Sequence, residues 1–163
     1  MGALYVRVDD RLIHGQIVTA WSGALAIGEI IAIDEELAKN PMLQSIATMG
    51  VPVQLKPRIV TVAQAKEILK EPSEKNRLLI TKICCVLSWL REEIKEAKHI
   101  NLGNCSKLDD SIYKMASGQG RFVYLGESDK QTLDLFESDG VPVICQLLPS
   151  DKVRTWENMK ANI

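Results

Sequence analysis

Val6-Arg7-Val8-Asp9-Asp10-Arg11-Leu12-Ile13-His14-Gly15-Gln16-Ile17-Val18 sets the reading of the whole chain. Its first residues close a strand pattern running from Ala3 to Val8, with Leu4, Val6 and Val8 in alternation. The chain then breaks into the charged Asp9-Asp10-Arg11 and restarts as a helix from about Gly15. His14 stands at the junction. A loop that leaves the C-terminal end of a strand and enters a helix N-terminus is where open α/β sheets bind ligands. Free backbone N–H groups and the helix dipole favour anions there, phosphate above all. A carboxylate pair and a guanidinium before the histidine, and an anion site after it, suit an imidazole that accepts a phosphoryl group.

Outward from this loop, strand and helix patterns alternate. Gly15 to Leu25 reads as a helix, with Ile17, Val18, Trp21 and Leu25 at helical spacing. Ile27 to Ile33 is an apolar run of strand length, bulky enough to be covered on both faces. Asp34-Glu35-Glu36 places acids at the start of a helix, and Pro41 opens another that Gly50 ends. Further strands are expected at Val51 to Leu55, Arg77 to Ile83, His99 to Gly103, Arg121 to Leu125 and Val141 to Leu147. Helices are expected at Thr61 to Lys70, Val86 to Ala97, Ser128 to Ser138 (first acid Asp129) and Asp151 to Asn162, the last capped by Ser150 or Asp151. Lys107 to Gln119 receives no element. The alternation predicts right-handed crossovers and a single α/β domain over residues 1–163: an open, mostly parallel sheet of about seven strands with helices on both faces.

Composition excludes several classes. The 163 residues carry a formal net charge of −1 with 25% charged residues, so no basic surface points to nucleic acid or an anionic membrane. No apolar run approaches the ~20 residues of a membrane span, and no signal-peptide pattern is legible, so a cytoplasmic protein is expected. Cys84, Cys85, Cys105 and Cys145 contain no C-x-x-C pair and read as reduced thiols, with no metal site. There is no G-x-x-x-x-G-K-[ST], and Gly118-Gln119-Gly120 lacks the rest of a dinucleotide fingerprint, so no cofactor is expected.

Within the loop, neutral imidazole is the nucleophilic form and dominates at neutral pH, given an ordinary pKa near ~6.5. Arg11 can fold over the loop as a bidentate donor to the transferred phosphoryl oxygens. The N–H groups of Gly15, Gln16 and Ile17 complete the candidate phosphate site, and Gly15 lets a donor approach the backbone closely. Asp9 and Asp10 would repel phosphate; their reading is structural, with Asp9 preferred as the group that orients His14. Thr81 and Gly103, at the ends of two other strands, are candidate phosphate contacts that read equally well as plain turns. His99 and the three tryptophans read as structural. Exposed apolar side chains near Leu12, Ile13 and Trp21 are the expected docking face for a protein partner.

The run Val8-Asp9-Asp10-Arg11-Leu12-Ile13-His14-Gly15-Gln16-Ile17 resembles the active-site loop of IIB subunits in the mannose/fructose/sorbose family of the bacterial phosphoenolpyruvate-dependent sugar phosphotransferase system. That loop typically reads R-[IV]-D-D-R-L-I-H-G-Q-V, and here only Ile17 replaces the usual Val. Glu35-Glu36-Leu37-Ala38, Leu79-Ile80-Thr81 and Ile100-Asn101-Leu102-Gly103 are similar to further family segments, whereas Asn104-Cys105 and Gly126 to Asp129 depart from them. The resemblance implies that His14 accepts a phosphoryl group from a IIA phosphohistidine, leaning towards Nδ1, and passes it to a sugar entering through membrane IIC and IID subunits. Arg11 then assists the phosphoryl group, and the chain associates peripherally with the permease. The alternative is a phosphorylation-sensing interaction module of the same fold.

Overall fold

The computed structural model describes residues 1–118, 120–161 and 163. Its strands are β1 (Leu4–Val8), β2 (Ile27–Ile33), β3 (Arg58–Val60), β4 (Asn76–Thr81), β5 (Ile100–Leu102), β6 (Tyr113–Gly118), β7 (Arg121–Leu125), β8 (Val143–Cys145) and β9 (Arg154–Thr155). Its α-helices are α1 (Ser22–Ala24), α2 (Glu35–Ala38), α3 (Pro41–Thr48), α4 (Val62–Lys70), α5 (Glu127–Ser138) and α6 (Trp156–Lys160).

Seven strands form one sheet in the order β3-β2-β4-β1-β5-β8-β9, parallel except for the two-residue β9. The mostly parallel α/β expectation therefore holds. Alternate residues of each strand face opposite layers, as the period of two requires. Ile31, Ile33, Val6, Val8 and Leu79 enter a large core with α4, α5 and α6. Ile30, Ala32, Leu78 and Ile80 enter a smaller one with Leu12, Ile17 and Leu55. Val8, Thr81, Leu102 and Cys145 lie side by side in the register, so four parallel strands end along one line. From β1 the chain turns to the β2 side, while β4 and β5 feed strands on the other side. That reversal at β1 is a topological switch point, where such sheets open a crevice.

Four local expectations need correction. Val51 to Leu55 is not a strand: Pro52 has no N–H to give a ladder, Val53–Leu55 is a 3₁₀ turn, and Lys56 ends it with φ +45°. The strand here is Arg58–Val60, three residues long. Val86 to Ala97 is not α-helical. Cys84–Leu90 is 3₁₀, which suits Leu87 and Leu90 three residues apart, and turns follow it; Leu87, Leu90 and Ile94 are nevertheless fully buried. The unassigned 107–119 contains β6, which pairs antiparallel with β7 as a hairpin outside the main sheet. Only Met115 of β6 is buried, too little apolar signal to read as a strand. The closing helix is Trp156–Lys160, capped by Thr155, because residues before it run as a strap and as β9; Asn162 lies outside the described residues. A smaller difference is that α5 starts at Glu127, making that residue its first acid.

Candidate active site

The loop after β1 folds on its own charges. Asp9 has no solvent exposure, and its carboxylate gathers the whole loop. Its Oδ1 accepts the Arg11 backbone N–H and Nε–H, each at 3.0 Å. Its Oδ2 accepts from Arg11 Nη2 at 3.0 Å, Arg7 Nη2 at 3.2 Å and Arg7 Nε at 3.3 Å. The His14 Nε2 lies 3.2 Å from the same Oδ2. Leu12 donates its N–H to the Asp9 carbonyl and holds φ +52°, a left-handed conformation costly for a branched apolar residue. Its side chain is buried in the smaller core, which keeps the turn in place.

Burial alone would raise the Asp9 pKa, but the hydrogen bonds from Arg11 and the charges of Arg7 and Arg11 outweigh it and hold the carboxyl below its ordinary value. Asp9 is therefore ionised and accepts only. His14 must then present Nε2 as N–H, leaving the lone pair on Nδ1. Burial lowers the His14 pKa first, and the two arginines add to this against the pull of Asp9, so the ring is neutral at neutral pH. Two guanidiniums against one carboxylate leave the pocket positive beside the imidazole.

Asp10 points elsewhere. Its Oδ1 accepts from Asn104 Nδ2 at 2.6 Å and its Oδ2 from the Ser106 N–H at 3.1 Å, tying the histidine loop to the loop after β5. The chain is helical from residue 15 to residue 24, with a π-helical segment at Ile17–Trp21. The Val18 N–H donates to the His14 carbonyl, so the N–H groups of Gly15, Gln16 and Ile17 form the open first turn beside the imidazole. Space around Gly15 is clear, with nothing within 4 Å of where a Cβ would stand.

The two other candidates have different work. The Thr81 hydroxyl closes its own turn, accepting the Ile83 N–H at 3.1 Å and donating to the Ile83 carbonyl at 2.8 Å. Gly103 donates its N–H to Val8, and an added Cβ would stand 2.5 Å from Arg7 Nη2 and 2.8 Å from Asp9 Oδ2. Gly103 leaves room for the ion pair.

Arg7 is the member that sequence reasoning missed. Its side chain, 2% exposed, shares the sheet face of Asp9 and crosses to the loop after β8, donating to the carbonyls of Gln146 (3.3 Å) and Leu147 (3.4 Å). Trp21 donates to the same Leu147 carbonyl at 2.8 Å, and its ring lies 5.5 Å from the Arg7 guanidinium. Asn101 fixes Gln146 through both backbone groups. The signal was an arginine inside a buried parallel strand with an acid two residues on, the spacing that puts both on one face. Trp21 and Leu12 are buried, so neither offers the exposed apolar docking surface expected of them; Ile13 is half-buried. His99 packs against Tyr5, and burial with the Arg7 charge lowers its pKa to about 4. Cys84, Cys105 and Cys145 are buried free thiols and Cys85 is half-buried. Among the described residues there is no metal-ligand cluster, and no helix is long and apolar enough to cross a membrane.

The chain is similar in sequence and in fold to known proteins. The family model described as the PTS system sorbose subfamily IIB component matches residues 3–162. A probable phosphotransferase enzyme IIB component of Streptococcus pyogenes is 28% identical over 108 residues, 65% of this chain and 66% of that protein, just under two thirds of its length. The fructose-specific EIIB component of Bacillus subtilis is 23% identical over 166 residues, 100% of this chain and 98% of that protein. In fold, the chain is similar to the IIBSor domain of the sorbose permease from Klebsiella pneumoniae, with a TM-score of 0.80 at 21% identity, covering 99% of this chain and 97% of that one. With its histidine loop at the sheet's switch point, the chain belongs to the sorbose-subfamily IIB components of the sugar phosphotransferase system.

Proposed function

We propose that this chain carries a phosphoryl group on His14 between a IIA phosphohistidine and a sugar in transit through membrane IIC and IID subunits. The observation that carries the reading is the contact between His14 Nε2 and an ionised Asp9 clamped by Arg7 and Arg11. The Nδ1 lone pair attacks phosphorus in line, and the bond to the donor imidazole breaks, its electron pair returning to the donor nitrogen. His14 keeps its Nε2 proton and becomes a cationic phosphoimidazolium, which the Asp9 charge stabilises. Arg11, with 35% of its side chain exposed, is the guanidinium open to the phosphoryl oxygens. The N–H groups of Gly15, Gln16 and Ile17 supply neutral donors from the open helix turn. In the second transfer a sugar hydroxyl oxygen attacks phosphorus, the P–Nδ1 bond breaks with its electron pair returning to Nδ1, and the hydroxyl proton passes to solvent, which regenerates neutral His14.

The test is intact-mass spectrometry after incubation with phosphoenolpyruvate, the two general phosphotransfer proteins and a mannose-family IIA. Wild type is expected to gain one phosphoryl group, labile in acid and stable in base, and His14→Ala none. Phosphorylation of His14→Ala would remove His14 as the acceptor. Sugar phosphate formed in membranes bearing IIC and IID separates a carrier from a phosphorylation-sensing module.

A further inference from the structure

A cavity of about 190 Å³ opens beside the histidine loop and does not include it. It lies among the ends of β5 and β8 (Gly103, Cys145), the β6–β7 hairpin (Ser117, Arg121) and the strap leading into β9 (Lys152, Arg154). Three cations line it against one carboxylate, Asp151, whose Oδ2 accepts the Leu148 N–H at 2.9 Å. This positive lining stands out on a chain whose formal net charge is −1. Among the described residues, Arg121, Lys152 and Arg154 form no salt bridge. Arg154 is held by its Nη2, which donates to Asn158 Oδ1 at 3.1 Å, while its Nε–H is buried without a partner.

We infer that this cavity binds a small phosphomonoester, with Arg154 and Arg121 as the anion-recognising groups and Lys152 adding charge at the mouth. Arginine forks match phosphate oxygens in a way that a neutral sugar does not require. The volume lies below the ~300 Å³ at which drug-sized pockets begin, which limits the ligand to the scale of inorganic phosphate or a phosphorylated monosaccharide. The site adjoins the histidine loop through Gly103 and the Leu147 segment that holds Arg7, yet shares none of His14, Arg11 or Asp9. The inference does not depend on His14 carrying phosphate, because binding is measured with no phosphoryl donor present.

The experiment is isothermal titration calorimetry of the intact chain with inorganic phosphate, a hexose 6-phosphate and the same hexose unphosphorylated. Wild type, His14→Ala, Arg121→Gln, Lys152→Gln and Arg154→Gln are compared, with circular dichroism confirming each fold. Phosphorylated ligand is expected to bind wild type and His14→Ala alike. Arg154→Gln and Arg121→Gln should each weaken it at least about tenfold, the effect of losing one charge-assisted hydrogen bond. Arg121 is exposed, so its variant keeps the test decisive if Arg154→Gln unfolds. Hexose phosphate binding tighter than inorganic phosphate identifies a sugar-phosphate site, and equal binding a phosphate site; both sustain the inference. No binding, equal binding of the neutral hexose, binding unchanged in both arginine variants, or loss in His14→Ala would each overturn it.

Discussion

Replacing Asp9 by Asn removes one charge and keeps the shape, so it isolates what that charge does. Arg7 is 2% exposed and Asp9 not at all, so the substitution strands a buried guanidinium. Breaking one side of a buried pair costs about 3–5 kcal/mol, whereas the half-open Arg11 contact contributes under ~1 kcal/mol. Total stability of a domain is ~5–15 kcal/mol, so the loss is a large share of it. At roughly 2–4 °C per kcal/mol for this size, Tm should fall by about 6–20 °C. The carbonyls of Gln146 and Leu147 still receive Arg7, which keeps the loss at the lower end of that range. Function should fall further than stability. An amide that turns its NH₂ towards His14 forces the proton onto Nδ1, and a wrong tautomer of this kind costs on the order of 10⁴ in rate. The assay is thermal unfolding by circular dichroism, run beside phosphorylation by intact mass at a temperature where the variant is folded. Arg7→Gln in the Asp9→Asn background should cost much less than in wild type, because the Asp9 charge is already gone and the second substitution removes the guanidinium that the first one stranded. A Tm within about 2 °C of wild type, or full additivity of the two substitutions, would refute the buried-clamp reasoning.

Gly103→Ala puts a methyl 2.5 Å from Arg7 Nη2 and 2.8 Å from Asp9 Oδ2; overpacking of this kind costs about 1–3 kcal/mol, and chemical denaturation should show it together with slower phosphorylation. Arg11→Lys keeps a charge but loses the paired contacts from Nε and Nη2 to Asp9, so single-turnover transfer from a IIA donor should slow while Tm moves by less than ~1 kcal/mol equivalent; an unchanged rate would take Arg11 out of the mechanism. His99 has a folded pKa of about 4, below its unfolded ~6.5, so it favours the fold fully above pH 6.5 and loses that contribution as pH falls from 6.5 to 4, by at most ~3 kcal/mol. Denaturant midpoints across that range should flatten in His99→Gln, and an unchanged slope would show that other groups govern acid unfolding.

The histidine loop was legible because its chemistry is local. Asp9, Arg11 and His14 lie within six residues, and the apolar runs flanking them set strand and helix without long-range help. Ile27 to Ile33 was readable for the same reason: seven residues, buried on both faces. Arg7 was hidden because its meaning lies in carbonyls 139 and 140 residues away. The roles expected of Thr81 and Gly103 rested on their strand-end positions alone. A hydroxyl bent back on its own turn and a hydrogen that makes room for an ion pair are invisible in position. Val51-Pro52-Val53 misled by alternating apolar residues, when Val53 is largely exposed. Tyr113 to Gly118 carries too little apolar signal to read as a strand, because a hairpin outside the main sheet buries only Met115 of β6.

The Arg7 bridge to the carbonyls of residues 146 and 147 also sets an order of events during translation. At roughly 5–20 residues per second, about 7–30 seconds separate the emergence of Arg7 from that of its acceptors. Throughout that interval the nascent chain carries a complete histidine motif whose guanidinium has no place to dock. The residues made first are thus among the last to reach their working arrangement, and a ribosome that stalls before residue 147 releases a chain with the motif and without the site.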